Sequence, residues 1–318
     1  MVGVPFLRLA LLPQIEILKH VDNKELFFLS LISTRCKNLA KTAKRSIKDV
    51  KLHFKKEEQM LITVRELSDW TTKTLIGLRK KTKKTTFRGS ENMDIRSLNI
   101  EQGKGPIVFY GEGSYHEMEH RIIRHLFSVF KKVEKVSVVL EDVANVSSNA
   151  FWKYSKNLYC LNISLQKVKL SDEEVSFLFD ELTVSDTCFF SAPTQGFKYQ
   201  KGFKHNRMDL KIPQSKYPNV DAIISSESSS IKIKCSLPPA TELNRFLKEW
   251  DAGENMKNLE WFTIGNRESV PGAAFKAKVL EGITVTMDYI MYVEISSIDG
   301  RRGFVRWDYS EFHFGSWN

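Results

Sequence analysis

A mixed fold, α+β or α/β, with a small three-helix module ahead of a larger strand–helix body, is predicted by three features of the sequence. Thirteen large apolar residues crowd into positions 9–32 at helical spacing. From about residue 130, short β-rich runs alternate with amphipathic helical segments. The positive charge is also confined to one end. Residues 1–90 hold 20 Lys/Arg against 8 Asp/Glu, which leaves 28 against 30 in residues 91–318. With 42% hydrophobic and 27% charged residues among 318, the chain has enough apolar material for a small core and a larger one.

The apolar start, Met1 to Leu12, lacks a basic leader and a small-residue cleavage site, and Arg8 interrupts it. It reads as the beginning of a folded helix rather than a secretory signal. No apolar run approaches the ~20 residues that span a bilayer, so no membrane partner is expected.

Three helices follow in residues 5–45. The first carries Leu11, Leu12, Ile15, Ile17 and Leu18, with Pro13 in its first turn, where a missing N–H costs nothing. The second opens at Asp22-Asn23-Lys24-Glu25, an arrangement resembling a capping box, and continues through Leu26, Phe27, Leu29 and Ile32. The third starts near Thr34 and is basic, with Arg35, Lys37, Lys41, Lys44 and Arg45 around Leu39 and Ala43. Helices this short cannot bury so many large side chains among themselves. Some must be covered by the rest of the chain or by a partner.

Leu9, Ile17, Val21, Glu25-Leu26, Ser30, Ile32 and Arg35 stand at the spacing of an F-box, and the segment resembles that family in its looser, nematode form. The family has Leu-Pro where this chain has Leu9-Ala10, and often Trp where it has Cys36. The resemblance implies docking onto a Skp-type adaptor and, through it, a cullin–RING ubiquitin ligase. Leu9, Ile17, Leu18, Val21, Leu26, Leu29, Ile32 and Cys36 are the expected adaptor-binding residues. Two readings stay open beside it: a helical cap that packs only on the chain's own body, and an F-box that no longer binds the adaptor.

In the body, Val136–Leu140, Leu158–Leu165, Thr187–Phe190, Ile231–Leu237 and Leu259–Ile264 are expected strands. Ser171-Asp172-Glu173-Glu174 opens a helix with Val175, Leu178, Phe179 and Leu182 on one face. Thr241 starts another, with Leu243, Phe246, Leu247 and Trp250 at i, i+3, i+4 and i+7. Asn157–Ile163 and Asn258–Ile264 read as near-copies, and strand spacings in the twenties fall in the leucine-rich-repeat range. Degenerate repeats forming a parallel sheet backed by helices are therefore expected, with an ordinary α+β domain as the alternative. Residues 241–250, Gly253-Glu254-Asn255, Leu259 and the ending from Ile298-Asp299-Gly300-Arg301-Arg302 through Val305, Trp307 and Phe314 to Trp317 are similar to the type-2 F-box-associated domain. That resemblance implies recognition of a target protein. The resulting division is an F-box at 5–49, a basic connecting region with short strands at 50–113, and a repeat-like recognition domain at 114–318.

His116-Glu117-Met118-Glu119-His120 fits H-E-x-x-H, the zinc-protease motif, with Glu141 or Asp142 as a third ligand. Against it, Ser114 and Glu117 read as a capping box, which would occupy the proposed general base at its own helix terminus. No zinc or other cofactor and no catalytic residue is expected. The run Arg79-Lys80-Lys81-Thr82-Lys83-Lys84 reads as a solvated loop or an importin-type signal; without aromatic interleaving beyond Phe87, a nucleic-acid partner is the lesser reading. Cys36, Cys160, Cys188 and Cys235 have neither paired nor metal spacing and read as buried thiols of a reducing compartment, cytoplasm or nucleus. Ser225–Ser230 reads as a polar loop.

Overall fold

In a computed structural model of the chain, the described residues are 6–43, 46–56, 59–66, 72–80, 98–101, 107–111, 115–130, 132–168, 170–192, 199, 201–212, 219–265, 272–289, 291–308 and 311–317. They fall into two compact units: Met1–Val143 with Ser148–Tyr154, and Ala144–Ser147 with Ser155–Asn318.

The first unit opens with a 3-10 turn at Phe6–Arg8 and three helices, α1 (Leu11–His20), α2 (Asn23–Ile32) and α3 (Thr34–Thr42). Each boundary has a local cause. The Asp22 carboxylate accepts from the Glu25 backbone N–H at 2.8 Å, and Ser33 Oγ accepts from the Cys36 N–H at 3.1 Å, so both helices begin with a capped donor. The strands β1 (Ser46–Lys55), β2 (Gln59–Glu66), β3 (Thr72–Lys80), β4 (Leu98–Glu101) and β5 (Ile107–Gly111) come next. They are followed by helix α4 (Tyr115–Val129) and strand β6 (Lys132–Glu141). Within this unit the strand order is β6-β1-β2-β3-β5-β4. Val50, Leu52 and Phe54 of β1 are buried while Lys51, His53 and Lys55 point away, the alternation of a half-buried strand.

β1 pairs in parallel with β6 over the whole stretch Ser46↔Lys132 to Lys55↔Glu141. That pairing moves α4 and β6 into the first unit, so the compact boundary lies near residues 144–155 rather than at 113/114.

The second unit holds β7 (Cys160–Gln166), α5 (Asp172–Ser176), β8 (Thr187–Ser191), β9 (Arg207–Lys211), α6 (Val220–Ile224), β10 (Ser230–Lys234), α7 (Ala240–Asp251) and β11 (Trp261–Gly265). It closes with α8 (Ala273–Val279), β12 (Val285–Asp288), β13 (Val293–Ser296), β14 (Arg302–Asp308) and β15 (Glu311–Trp317). Its order is β12-β13-β14-β15-β11-β10-β9-β8-β7. β7 to β11 are parallel neighbours in chain order; β15 to β12 add an antiparallel meander.

The turn before each parallel strand is bonded to the turn before the next. Tyr159 C=O accepts from the Asp186 and Thr187 N–H groups, Asn206 C=O from Ser229 and Ser230, and Ser229 C=O from Glu260 and Trp261. Repeating one hydrogen-bonding pattern between successive strand–connection units is how solenoid-type folds stack.

All five strands expected in the body form. β9 is an addition: it lies midway in the 188-to-233 interval and completes the repeat spacing. Its sequence, Arg207-Met208-Asp209-Leu210-Lys211, has only two buried side chains, Met208 and Leu210, too short an alternation to stand out. The Ser171 capping box is present. The helix it opens, however, stays α-helical only to Ser176 and continues as a π-turn, Phe177–Glu181, with Leu182 N–H bonded to Phe177 C=O at 2.9 Å. Val175, Leu178, Phe179 and Leu182 are all buried.

On the core side, α7 covers the junction of the parallel and antiparallel strands. The Phe246 ring lies 4.8 Å from Phe262 and 5.3 Å from Phe314, and Trp250 lies 5.2 Å from Phe314. Asn244 Nδ2 donates to the Val279 and Glu281 carbonyls at 2.8 Å each, fastening the end of α8 to α7.

Candidate docking site

The three N-terminal helices sort their apolar residues into two groups. Leu18, Leu26, Phe27, Leu31, Cys36 and Leu39 are buried. Phe27 packs edge-on to His125 of α4 at 5.4 Å and stacks on Phe130 at 6.3 Å. Ser30, fully buried, gives its single hydroxyl proton to the Phe27 carbonyl at 2.5 Å. His125 Nε2, 2.8 Å from the Ser30 hydroxyl oxygen, must then be the donor to it, so the imidazole carries a proton on Nε2. Helix α4 thus supplies the cover that three short helices cannot make for themselves.

The second group faces outward. Leu12 is 75% exposed, Leu11 57%, Ile32 47% and Ile17 44%, with Leu7 also exposed. The segment before α1 is held in place by Gln14, whose Nε2 donates to the Leu9 carbonyl at 2.7 Å and to Phe6 at 3.2 Å, and by Arg35, which donates to the Leu7 carbonyl at 2.9 Å.

Of the eight residues expected from sequence to bind an adaptor, Ile17 and Ile32 are exposed, and Leu9, Val21 and Leu29 are half-buried. Leu18, Leu26 and Cys36 are each about 1% exposed. They are core side chains of the helical module. Leu7, Leu11 and Leu12, outside the set expected from sequence, are exposed as well. Helical spacing identifies apolar positions, but which side of a bundle is inside depends on where α4 packs.

The H-E-x-x-H segment occupies the start of α4, and its parts engage other partners. Glu117 forms a 2.6 Å ion pair with Arg121, and the His116 side chain is exposed, 3.9 Å from Glu119. His120 Nδ1 meets the Tyr154 hydroxyl at 3.3 Å. Glu141 bonds His53 at 3.1 Å, and Asp142 pairs with Lys56 at 3.0 Å. Among the described residues no three His, Cys, Asp or Glu side chains are grouped as metal ligands. Ser114, the expected cap, lies outside the described residues, as do Lys44, Arg45 and Lys81 to Phe87 of the basic segment.

In the second unit, the C-terminal hairpin is tied to the end of α7. Arg301 Nη2 donates to the Trp250 carbonyl at 2.6 Å while its guanidinium lies 5.2 Å from the centre of the Trp250 ring. A cation at a helix C-terminus meets the negative end of the dipole and shares a terminal carbonyl with the backbone N–H of Gly253. Asp299 orients Arg301, and hydrogen bonds from Ser297 and Arg301 hold its carboxyl down at about 2. Trp250 and the Asp299-Gly300-Arg301 turn are thus two sides of one contact.

The Ser225–Ser230 segment, expected as a polar loop, is partly interior. Ser226 and Ser228 are buried, and their hydroxyls donate to the Phe203 carbonyl at 2.9 Å and the His205 carbonyl at 2.5 Å. The thiols of Cys188 and Cys235, both buried, are pushed up to about 12 by burial, so they sit protonated as small core groups.

Residues 6–48 match the F-box domain, and residues 198–264 match the F-box-associated family. The F-box match spans α1–α3 and the first residues of β1; the other spans β9 to β11 with α6 and α7. No curated protein and no solved structure matches the chain. No helix among the described residues is long and apolar enough to cross a membrane.

Proposed function

Given an F-box followed by an F-box-associated domain, we propose that this chain is the substrate-recognition subunit of a cullin–RING ubiquitin ligase. The exposed apolar face of α1 and α2 docks on the Skp-type adaptor, and the second unit holds a target protein. The observation that carries the reading is the split within one small module. Its interior and one flank are closed by α4, while Leu7, Leu11, Leu12, Ile17 and Ile32 stay exposed, a concentration of large apolar side chains that marks a protein contact. The basic residues of α3 steer the encounter and set its orientation.

Such a subunit acts through proximity. It raises the target's local concentration beside the ubiquitin-conjugating partner and needs no catalytic side chain of its own. A ligase of this kind works in the cytoplasm or nucleus, where buried thiols such as Cys36, Cys188 and Cys235 persist reduced.

The test is affinity purification of the full chain with identification of its partners, compared with a Leu11→Asp/Leu12→Asp chain. The adaptor and cullin should disappear from the variant while target proteins remain. Equal adaptor recovery from both would sink the docking assignment. Deleting residues 1–48 is a poorer test, because removing α2 strips the cover from His125 and Phe130.

A further inference from the structure

One face of the second unit's sheet packs on its helices, and the other carries a different set of side chains. Leu161, Phe190, Leu210, Ile233 and Ile264 point into the core, so their neighbours along each strand point the opposite way. The registers line those neighbours into rows. One row runs Thr187, Arg207, Ser230, Trp261, Gly315 and Phe304 across β8, β9, β10, β11, β15 and β14. The next runs Asp209, Lys232, Thr263, His313 and Arg306.

The first row ends in an aromatic shelf. Trp261 meets Phe304 edge-on at 5.6 Å, and Phe304 lies 5.2 Å from Trp317. Both tryptophans remain more than two-fifths exposed. Gly315, opposite Trp261 and Phe304 in the ladder, makes room for the shelf, since a Cβ there would stand 2.3 Å from the Phe304 ring. Trp261 Nε1 donates to Thr263 Oγ1 at 2.9 Å, and that hydroxyl lies 3.1 Å from His313 Nδ1. The indole is therefore held in place although its face is open to solvent.

Beside the shelf, β9 and β10 present Arg207, Lys211, Lys232 and Lys234 against a single carboxylate, Asp209, an excess of three positive charges. Arg207 lies 3.7 Å from Asp186, whereas no salt bridge among the described residues holds Lys211, Lys232 or Lys234. Residues 91–318 as a whole are close to neutral, so this patch is local.

We propose that this open face binds an extended acidic segment of the target protein. An aromatic or aliphatic side chain of that segment rests on Trp261, Phe304 and Trp317, and its carboxylates meet Lys211, Lys232 and Lys234. The proposal deepens the recognition role assigned to the second unit and rests on it. Lys211 on β9 lies two strand spacings, about 10 Å, across from Trp261 and four residues, about 13 Å, along the strand from its row, so five or six extended residues reach from the lysines to the shelf. An excess of cations next to solvent-facing tryptophans is the composition of a protein contact. The interspersed carboxylates of Asp209, Asp308 and Glu311 on the same face oppose a continuous phosphate backbone, which favours a peptide over RNA.

The experiment measures fluorescence anisotropy of the full chain with a short Glu-rich peptide carrying two phenylalanines. Comparison probes are its Gln analogue, a phosphoserine version and single-stranded RNA of equal length. The Glu peptide should bind and the Gln analogue should bind roughly tenfold more weakly. Trp261→Ala and Lys232→Glu/Lys234→Glu should each cost about tenfold, with circular dichroism showing each variant folded and adaptor retention unchanged. Equal binding of the Glu and Gln peptides, binding of only the phosphoserine version, or tighter binding of RNA would overturn the proposal, as would absence of all binding. Peptide binding that persists in a chain unable to retain the adaptor supports the proposal and counts only against the docking assignment.

Discussion

Truncating Leu11 and Leu12 together to alanine should separate docking from folding. The two side chains are 57% and 75% exposed, so full coverage by a partner withdraws rather more than one leucine's worth of apolar surface. At about 1.5–3 kcal/mol for burying a leucine, the double truncation forfeits about 2 kcal/mol of binding, or roughly a 30-fold rise in Kd. The same change removes little that the free chain buries, so its stability should move by no more than about 0.5 kcal/mol. Leu26→Ala is the opposite case. Leu26 is about 1% exposed, and its truncation should cost about 2–5 kcal/mol of stability through the cavity it leaves, weakening adaptor retention only as the folded fraction falls. Titration of the adaptor by surface plasmon resonance, with thermal denaturation of each variant alongside, reads both quantities. If the double variant binds within twofold of the original chain, the exposed face is not the docking face and the reasoning from exposure fails.

Three further outcomes are expected. Replacing Ser30 by Ala leaves the His125 Nε2–H without its buried acceptor and should lower stability by about 1–3 kcal/mol in urea denaturation; no change would mean that α4 does not depend on that bond. Arg301→Ala removes both the bond to the Trp250 carbonyl and the stacking on its ring, for about 1–2 kcal/mol, and near-ultraviolet circular dichroism of the Trp250 environment should change with it. Acid should also weaken the second unit. Burial holds the His205 imidazole below its usual range, so the unfolded chain takes up protons near pH 6.5 that the folded state does not. Stability is present above that value and falls as pH drops from about 7.5 to 5.5. His313, lowered chiefly by burial as well, adds in the same direction. In His205→Leu the slope should be shallower; an unaltered slope, or greater stability at the lower pH, refutes the assignment.

The second unit was legible in the sequence wherever a segment carried its own periodicity. Leu243, Phe246, Leu247 and Trp250 repeat at helical spacing, and they form the buried stripe of α7. β7, β8, β10 and β11 each have a strong enough alternation to be recognised singly. β9 does not, because Arg207, Asp209 and Lys211 leave two apolar residues in five; the gap in the strand spacing was its only signal. The limits were sharper in the first unit. Residue spacing showed that the three helices hold too many apolar side chains, but it could not sort Leu18, Leu26 and Cys36 inside from Leu11, Leu12 and Ile32 outside. That sorting is set by α4, some ninety residues further on, through the contact of Phe27 and Ser30 with His125. The late boundary has the same origin: the parallel pairing of β1 with β6 is a long-range event that no local pattern announces. For H-E-x-x-H the motif fits, yet Glu117 is held by Arg121 and the two histidines face different neighbours.

The most direct measurement is size-exclusion chromatography with light scattering on the full chain mixed with a purified Skp-type adaptor. Docking predicts a single one-to-one complex for the original chain and separate elution of a still-folded Leu11→Asp/Leu12→Asp chain. Separate elution of the original chain, with its circular dichroism showing it folded, would contradict the central claim.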